Sequence, residues 1–290
     1  MSSHLISELR TRFAETGITP DLVHDFQTEV MEFYKTNGRH DLEWRLWFDP
    51  YRIVVSEVML QQTQVPRVAM TFPTFIEKFP DFAALSVAPQ AKLLSAWQGL
   101  GYNRRVLNLK KFAVKIIEEF DGVLPNDPRV LATFPGIGPA TSCSIAAFVF
   151  NRPVVFIETN IRRVFIHHFF SDTTVVDDRD IIPLVDACFL PNRSREWYWA
   201  LMDLGAALKT FVPNPNRRSR HYVKQSMFEG SDRQIRGVLL RLMLSGITAD
   251  STLLSNIVGF EPDRVTGILA EMCREGFFVQ EESGEYRIVQ

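Results

Sequence analysis

The chain has 290 residues, 46% hydrophobic and 23% charged, with a formal net charge of −2, the profile of a globular protein with one large core or two ordinary ones. No run approaches the roughly 18 uninterrupted apolar residues of a membrane span, and Met1-Ser-Ser-His-Leu5 lacks the basic stretch and apolar run of a secretion signal, so the expected protein is cytoplasmic, nucleoid-associated in a prokaryote, with no membrane partner. The charge balance excludes a wholesale nucleic-acid coat but not a locally basic face, because phosphate binding depends on where Lys and Arg cluster.

Helical spacing dominates up to about residue 210. Leu22, Phe26, Val30, Phe33 and Tyr34 form one stripe, and the segment Ile53 to Val65 is more uniformly apolar, as in a buried helix. Within it stands Glu57, in Val54-Val-Ser-Glu-Val-Met-Leu60. A carboxylate among apolar neighbours is costly to ionise, so its pKa rises and it suits proton donation to a leaving group. Read otherwise, Glu57 is a helix-face acid pointing to solvent or paired with Arg52. Gln61, Gln62, Thr63 and Gln64 follow; such side chains can fill the gap left by an extruded base, although Gln runs are also ordinary helix surface.

Prolines 66, 73, 80 and 89 punctuate short helices, Gly99-Leu-Gly101 marks a turn, and Val106, Leu109, Phe112, Ile116 and Ile117 resume the helical period. The most specific local signal is Leu131-Ala-Thr-Phe-Pro-Gly136-Ile137-Gly138-Pro-Ala-Thr141. Two glycines one residue apart permit a tight turn and a close approach to another surface, and amides opening the next helix can hold a phosphate oxygen. The string predicts a helix-hairpin-helix near 131–148, a clamp for DNA backbone of any sequence.

Glu158 follows another apolar run and precedes Arg162 and Arg163. Departure of a base from deoxyribose leaves a cationic sugar, and two carboxylates with separate roles suit that chemistry; alternatively Glu158 is an N-cap or salt-bridge acid at a helix start. His167 and His168 diverge on a helix and have no third ligand, so they read as structural. Lys209, Arg217, Arg218, Arg220, His221 and Lys224 form an acid-free basic linker around Pro213-Asn-Pro-Asn216, readable as a solvated loop. Beyond it, Ser231 is a plausible N-cap for a helix carrying Ile235, Val238, Leu239, Leu242 and Met243. Further helices are expected at Ser251–Val258 and Pro262–Glu275, and strands at Phe277–Val279 and Tyr286–Val289 around a turn. Three helices and a hairpin give a winged-helix-like α+β domain. Cys143, Cys188 and Cys273 form neither a disulfide framework nor a metal pair.

Taken together, Ser56-Glu-Val-Met-Leu-Gln-Gln-Thr-Gln-Val65, Leu42-Glu-Trp-Arg45, Trp97-Gln-Gly-Leu-Gly-Tyr102, Phe134-Pro-Gly-Ile-Gly138 and Leu201-Met-Asp-Leu-Gly-Ala206 resemble the helix-hairpin-helix DNA glycosylases, and among them the MutY-type adenine glycosylases. The resemblance covers roughly residues 25–210. It implies a mainly α, two-lobed fold over residues 1–226, followed by the winged-helix-like domain at 227–290, and an active site in a cleft that receives a flipped-out base. It further implies that Glu57 is the general acid, that Glu158 and Asn160 stabilise the charged sugar, and that Arg45 and Asp203 line the base pocket. Gln62 takes the wedge position, and DNA contacts are expected at Gln61, Thr63, Tyr102, Asn103, Arg104, Gly136, Ile137, Gly138, Thr141 and Arg162.

The departures carry information too. Glu158 replaces the family's Asp, Glu43 a proline, and Asn103 a tyrosine common after Tyr102. Ala140 stands where bifunctional relatives carry a Schiff-base lysine, which disfavours strand cleavage by that route. Lys209 stands where the first cysteine of the family's iron–sulfur loop would be, so no cofactor or metal is expected, and the basic linker is a candidate for the loop's DNA contacts. In place of the family's nudix-like C-terminal domain, the winged-helix-like domain is expected. The expected protein is a monomeric, monofunctional glycosylase acting on double-stranded DNA with a mismatched or damaged base, the expected target being adenine opposite 8-oxoguanine or guanine. The rival expectations are a same-fold glycosylase for uracil, thymine, hypoxanthine or an alkylated base, and a catalytically silent damage-binding protein.

Overall fold

A computed structural model describes residues 3–170 and 173–289; Met1 and Ser2, part of the segment behind the secretion reading, lie outside the described residues. The chain divides into two compact units, and neither is a continuous stretch: one comprises residues 1–57 and 125–223, the other 58–124 and 224–290. The C-terminal segment therefore shares a unit with the helices after Glu57.

Four helices open the chain: α1 (Ser3–Thr16), α2 (Pro20–Asn37), α3 (Glu43–Leu46) and α4 (Pro50–Leu60), which carries Glu57. The second unit then takes α5 (Val65–Lys78), α6 (Phe82–Ser86), α7 (Gln90–Ala96) and α8 (Arg104–Phe120). The first resumes with α9 (Pro128–Leu131), α10 (Pro139–Phe150), α11 (Thr159–Phe169), α12 (Asp178–Ala187) and α13 (Ser194–Phe211). The chain ends in the second with α14 (Asp232–Leu244), α15 (Ser251–Val258), α16 (Pro262–Arg274) and the strands β1 (Phe278–Gln280) and β2 (Tyr286–Ile288).

The core of the first unit forms where the α2 stripe meets α11 and α13. Leu22, Phe26 and Val30 pack with Ile161, Val164 and Phe165 and with Trp197, Leu201 and Leu204. Phe26 meets Phe169 edge-on at 5.0 Å and Trp197 at 6.1 Å, the geometry that aromatic quadrupoles favour. α13 can lie close to α11 only because position 205 is glycine: a Cβ there would overlap the Asn160 carbonyl. His168 is wholly buried and its Nδ1 bonds the Val164 carbonyl at 2.7 Å, consistent with a structural histidine.

In the second unit Phe72, Phe75, Leu93, Leu94, Val106, Leu109 and Phe112 are fully or almost fully buried, and Phe75 meets Trp97 edge-on. The C-terminal helices fall where apolar spacing places them, with Ile235, Leu239 and Met243 of α14 buried. β1 and β2 pair antiparallel, Phe278 opposite Ile288, and Ala249 bridges to Tyr286 beside them. This is the predicted three-helix and hairpin order.

Candidate active site

The predicted residues divide between the units. Glu57, Glu158, Asn160, Arg45, Asp203, Arg162 and the hairpin belong to the first, and Gln61, Gln62, Thr63, Tyr102, Asn103 and Arg104 to the second.

In the first unit the hairpin turns at Gly136. Asp127 caps α9, Gly136 adopts φ 77°, and Ile137 is buried, its amide bonding the Phe134 carbonyl at 3.2 Å. Gly138 is the N-cap of α10, and its backbone (φ −88°, ψ 175°) is open to any residue. No atom lies where its Cβ would be, so neither local conformation nor internal packing calls for glycine there. It leaves the start of a helix bare of side chain, which suits approach by a phosphate.

The same helix holds the acid. Ser144 on α10 sets its Oγ 2.6 Å from Glu57 Oε2 and 3.0 Å from the Thr141 carbonyl. Burial pushes the Glu57 carboxyl up to about 7; donation from Ser144 restrains the rise, the charge of Glu158 adds to it, and Arg45 opposes it. Arg52, the alternative partner, reaches Glu43 at 3.3 Å instead. The Ser144 hydroxyl has one proton and two acceptors within reach. It can donate to ionised Glu57, or accept from protonated Glu57 while donating to Thr141, so both states of the acid are satisfied. Sequence reading missed Ser144, one turn beyond the hairpin.

Glu158 is the N-cap of α11: its Oε1 accepts from the amides of Asn160 (2.7 Å) and Ile161 (3.0 Å), while Oε2 has a 3.4 Å contact with Asn160 Nδ2. The capping alternative is therefore correct locally. Burial raises its pKa, opposed by those amides and by Arg163 and Arg162. Asn160 is held on its other side by Arg163, whose Nη1 donates to Asn160 Oδ1 at 2.8 Å and also to the Gly205 carbonyl, and whose Nε donates to Asn214 Oδ1 at 3.2 Å. Asn216 adds a 2.8 Å bond to the Thr159 carbonyl.

The linker thus faces inward in part. Asn214 and Asn216 brace the start of α11, Arg218 donates to the Phe170 carbonyl, and Arg220 meets Asp177 at 3.2 Å. Arg218 and Arg220 thus have partners within the protein, backbone carbonyls for the first and a carboxylate for the second. Arg162 is similarly engaged, gripping Asp178 with two bonds of 2.6 Å.

Arg45 and Asp203 do meet, through bonds of 2.7 and 2.9 Å, with Arg45 over the Trp199 ring at 5.1 Å. Arg39, which sequence reading missed, completes the cluster through its amide (2.8 Å) and Nε (2.7 Å). Burial raises the Asp203 carboxyl, but Arg45 and Arg39 outweigh it and hold the pKa below the ordinary range. Asp203 consequently anchors two arginines.

In the second unit Gln62 and Tyr102 both have left-handed backbones, φ 56° and 47°, uncommon for side chains of this size. The hub that shapes this region is Arg105, another residue missed. Its Nη1 donates to the carbonyls of Val58, Met59 and Gln61 at 2.6–2.8 Å, and its Nη2 to Thr63 Oγ1 at 2.9 Å and the Gly101 carbonyl at 2.9 Å. Thr63 is thereby committed inside the fold. Asn103 is the N-cap of α8, and Arg104 is exposed.

Residues 55–181 match the model of the HhH-GPD superfamily base excision DNA repair proteins. An adenine DNA glycosylase of Mycolicibacterium smegmatis is 31% identical over 278 residues, covering 90% of this chain and 94% of the relative. The structure of a thermostable thymine-DNA glycosylase superposes with a TM-score of 0.56 at 22% identity, over 63% of this chain and 86% of that one. A non-covalent endonuclease III–DNA complex does so with 0.54 at 16% identity, over 64% and 85%. The chain belongs to the HhH-GPD superfamily of base excision DNA repair proteins and, within it, to the MutY-type adenine DNA glycosylases.

Proposed function

We propose that the protein hydrolyses the N-glycosidic bond of adenine in duplex DNA, opposite 8-oxoguanine or guanine, without cleaving the strand. The observation that carries this reading is the Glu57 carboxyl. Raised to about 7, it holds a transferable proton near neutrality and is anchored through Ser144 to the helix that opens at Gly138.

Glu57 donates its proton to a ring nitrogen of the base. The C1′–N bond breaks with its electron pair leaving on the base. The developing sugar cation is stabilised by ionised Glu158, whose Oε2 is the less engaged oxygen. Water then adds at C1′, and its proton returns to the Glu57 carboxylate. Ala140 supplies no amine, so the sugar forms no imine with that position. The family's iron–sulfur cluster does not fit this chain: Lys209 stands at the first ligand position, Cys143, Cys188 and Cys273 lie elsewhere, and Asn214 and Asn216 bond α11 instead. We therefore propose that no such cluster is bound.

The test is a panel of duplexes carrying adenine opposite 8-oxoguanine or guanine, uracil, thymine opposite guanine, hypoxanthine, or alkylated bases, incubated with the protein and treated with hot alkali. Strand breaks confined to the adenine duplexes and appearing only after alkali are expected. Breaks only at another base would replace the substrate, breaks without alkali would contradict the hydrolytic route, and binding without breaks would leave a damage-binding protein.

A further inference from the structure

The second unit contains a cleft of about 1190 Å³ between the loops at 61–62 and 98–105 and the C-terminal domain, larger than the roughly 300–1,000 Å³ of common small-molecule pockets. Six arginines line it against one carboxylate, Glu275. Three of the six are internally engaged: Arg105 on backbone carbonyls, Arg236 on Glu275 and Glu271, and Arg233 on the Ser226 carbonyl and the Tyr102 hydroxyl. Arg104 has only a 3.8 Å contact with Glu275. Arg67 and Arg241 are exposed, and neither they nor Arg233 pair with an acid among the described residues. In a chain of net charge −2, this concentrates positive charge where the loop of Gln62 faces α14.

The other lining groups suit bases rather than a simple anion. Gln62, Gln98, Asn108 and Gln225 offer amide donors and acceptors. Phe228 is an aromatic ring 61% exposed, and Gln225 and Arg233 both bond the Tyr102 hydroxyl. Arginines that follow a backbone, with an exposed ring and amides beside them, make a single-strand binding groove.

We propose that this cleft binds a few unpaired nucleotides of a DNA strand, with phosphates on Arg67 and Arg241 and a base against Phe228. The C-terminal domain is then one wall of a second DNA-contact site, additional to the hairpin. The inference rests on the reading of the chain as a DNA-acting enzyme.

The test uses the full chain and a fluorescein-labelled single-stranded 12-mer, followed by anisotropy over a series of salt concentrations. In Arg67→Ala/Arg241→Ala, which breaks no internal ion pair, affinity should fall about tenfold and the salt slope by about 1.4, two phosphates at ~0.7 each. Phe228→Ala should weaken binding about fivefold or more without changing that slope, as expected of lost stacking. Melting temperatures should stay at the wild-type value, and adenine release from saturating mismatched duplex should persist. Unchanged affinity and slope for the single strand in the double variant overturn the proposal, as does a loss confined to duplex or an equal affinity for free mononucleotide. If wild-type protein releases no base but binds single strands through Arg67 and Arg241, the cleft stands and the glycosylase reading fails.

Discussion

Ser144 Oγ lies 2.6 Å from Glu57 Oε2, joining the proposed general acid to the helix that the hairpin opens. One rigid element therefore places the acid and presents bare backbone at Gly138. Replacing the hydroxyl tests the link. Ser144→Ala removes the donation that restrains the rise in Glu57 pKa, so the alkaline limb of the rate–pH profile should move above pH 7 and the single-turnover rate should fall. An unmoved limb would show that Ser144 does not bond the carboxylate.

Glu57 itself predicts two pH effects. Base release should decline as pH rises through about 7, where the acid ionises. Its folded pKa lies above the reference 4.5, so its stabilising contribution is full below that value and disappears as pH rises to about 7. Glu57→Gln should abolish base release, leave DNA affinity within about twofold, and melt higher than wild type at pH 8 but not at pH 4. Glycosylase assays and thermal melts at the two pH values check both.

Asp203 has the opposite sign. Its folded pKa is held below the ordinary value, so the stabilisation is present above the ordinary aspartate range and lost as pH falls through the lower folded value. Asp203→Asn leaves Arg45 and Arg39 short of their carboxylate and should cost about 3–5 kcal/mol at pH 7. In denaturant titrations the gap from wild type should close as pH falls below the ordinary aspartate range; a pH-independent gap would count against the ion pairs as its cause.

Gly205 and Gly138 should behave differently on replacement by alanine. At Gly205 the new methyl overlaps the Asn160 carbonyl, so Gly205→Ala should destabilise by about 1–3 kcal/mol and, by shifting α11, lower the rate as well.

At Gly138 the added methyl meets nothing inside the protein. Gly138→Ala should melt as wild type does, yet bind duplex DNA about tenfold more weakly, because the methyl occupies space meant for the phosphate. Normal DNA affinity in this variant would remove the hairpin from the binding surface.

Much of this protein is set by local sequence. The string from Phe134 to Thr141 determines a hairpin because Gly136 can take the left-handed φ of 77° that the turn needs, while Pro135 and Pro139 each fix their own φ. α15 and α16 begin at Ser251 and Pro262, as predicted from caps and apolar spacing. Ala140 and the cysteine positions limit the chemistry before any folding is considered. Side-chain pairing is another matter. Ser144 and Glu57 are 87 residues apart, Arg45 and Asp203 158, and nothing in local periodicity links such positions. Arg105 looks like any helical arginine until the turns after α4 and at 100–101 bring their carbonyls to it. Only the packed chain decides which polar groups meet, because buried donors and acceptors must find partners in space rather than in sequence. For that reason tertiary structure turned Arg162 into an ion-pair partner and Glu57 into a tethered acid, whereas the Glu158 cap, made to amides two and three residues on, is local.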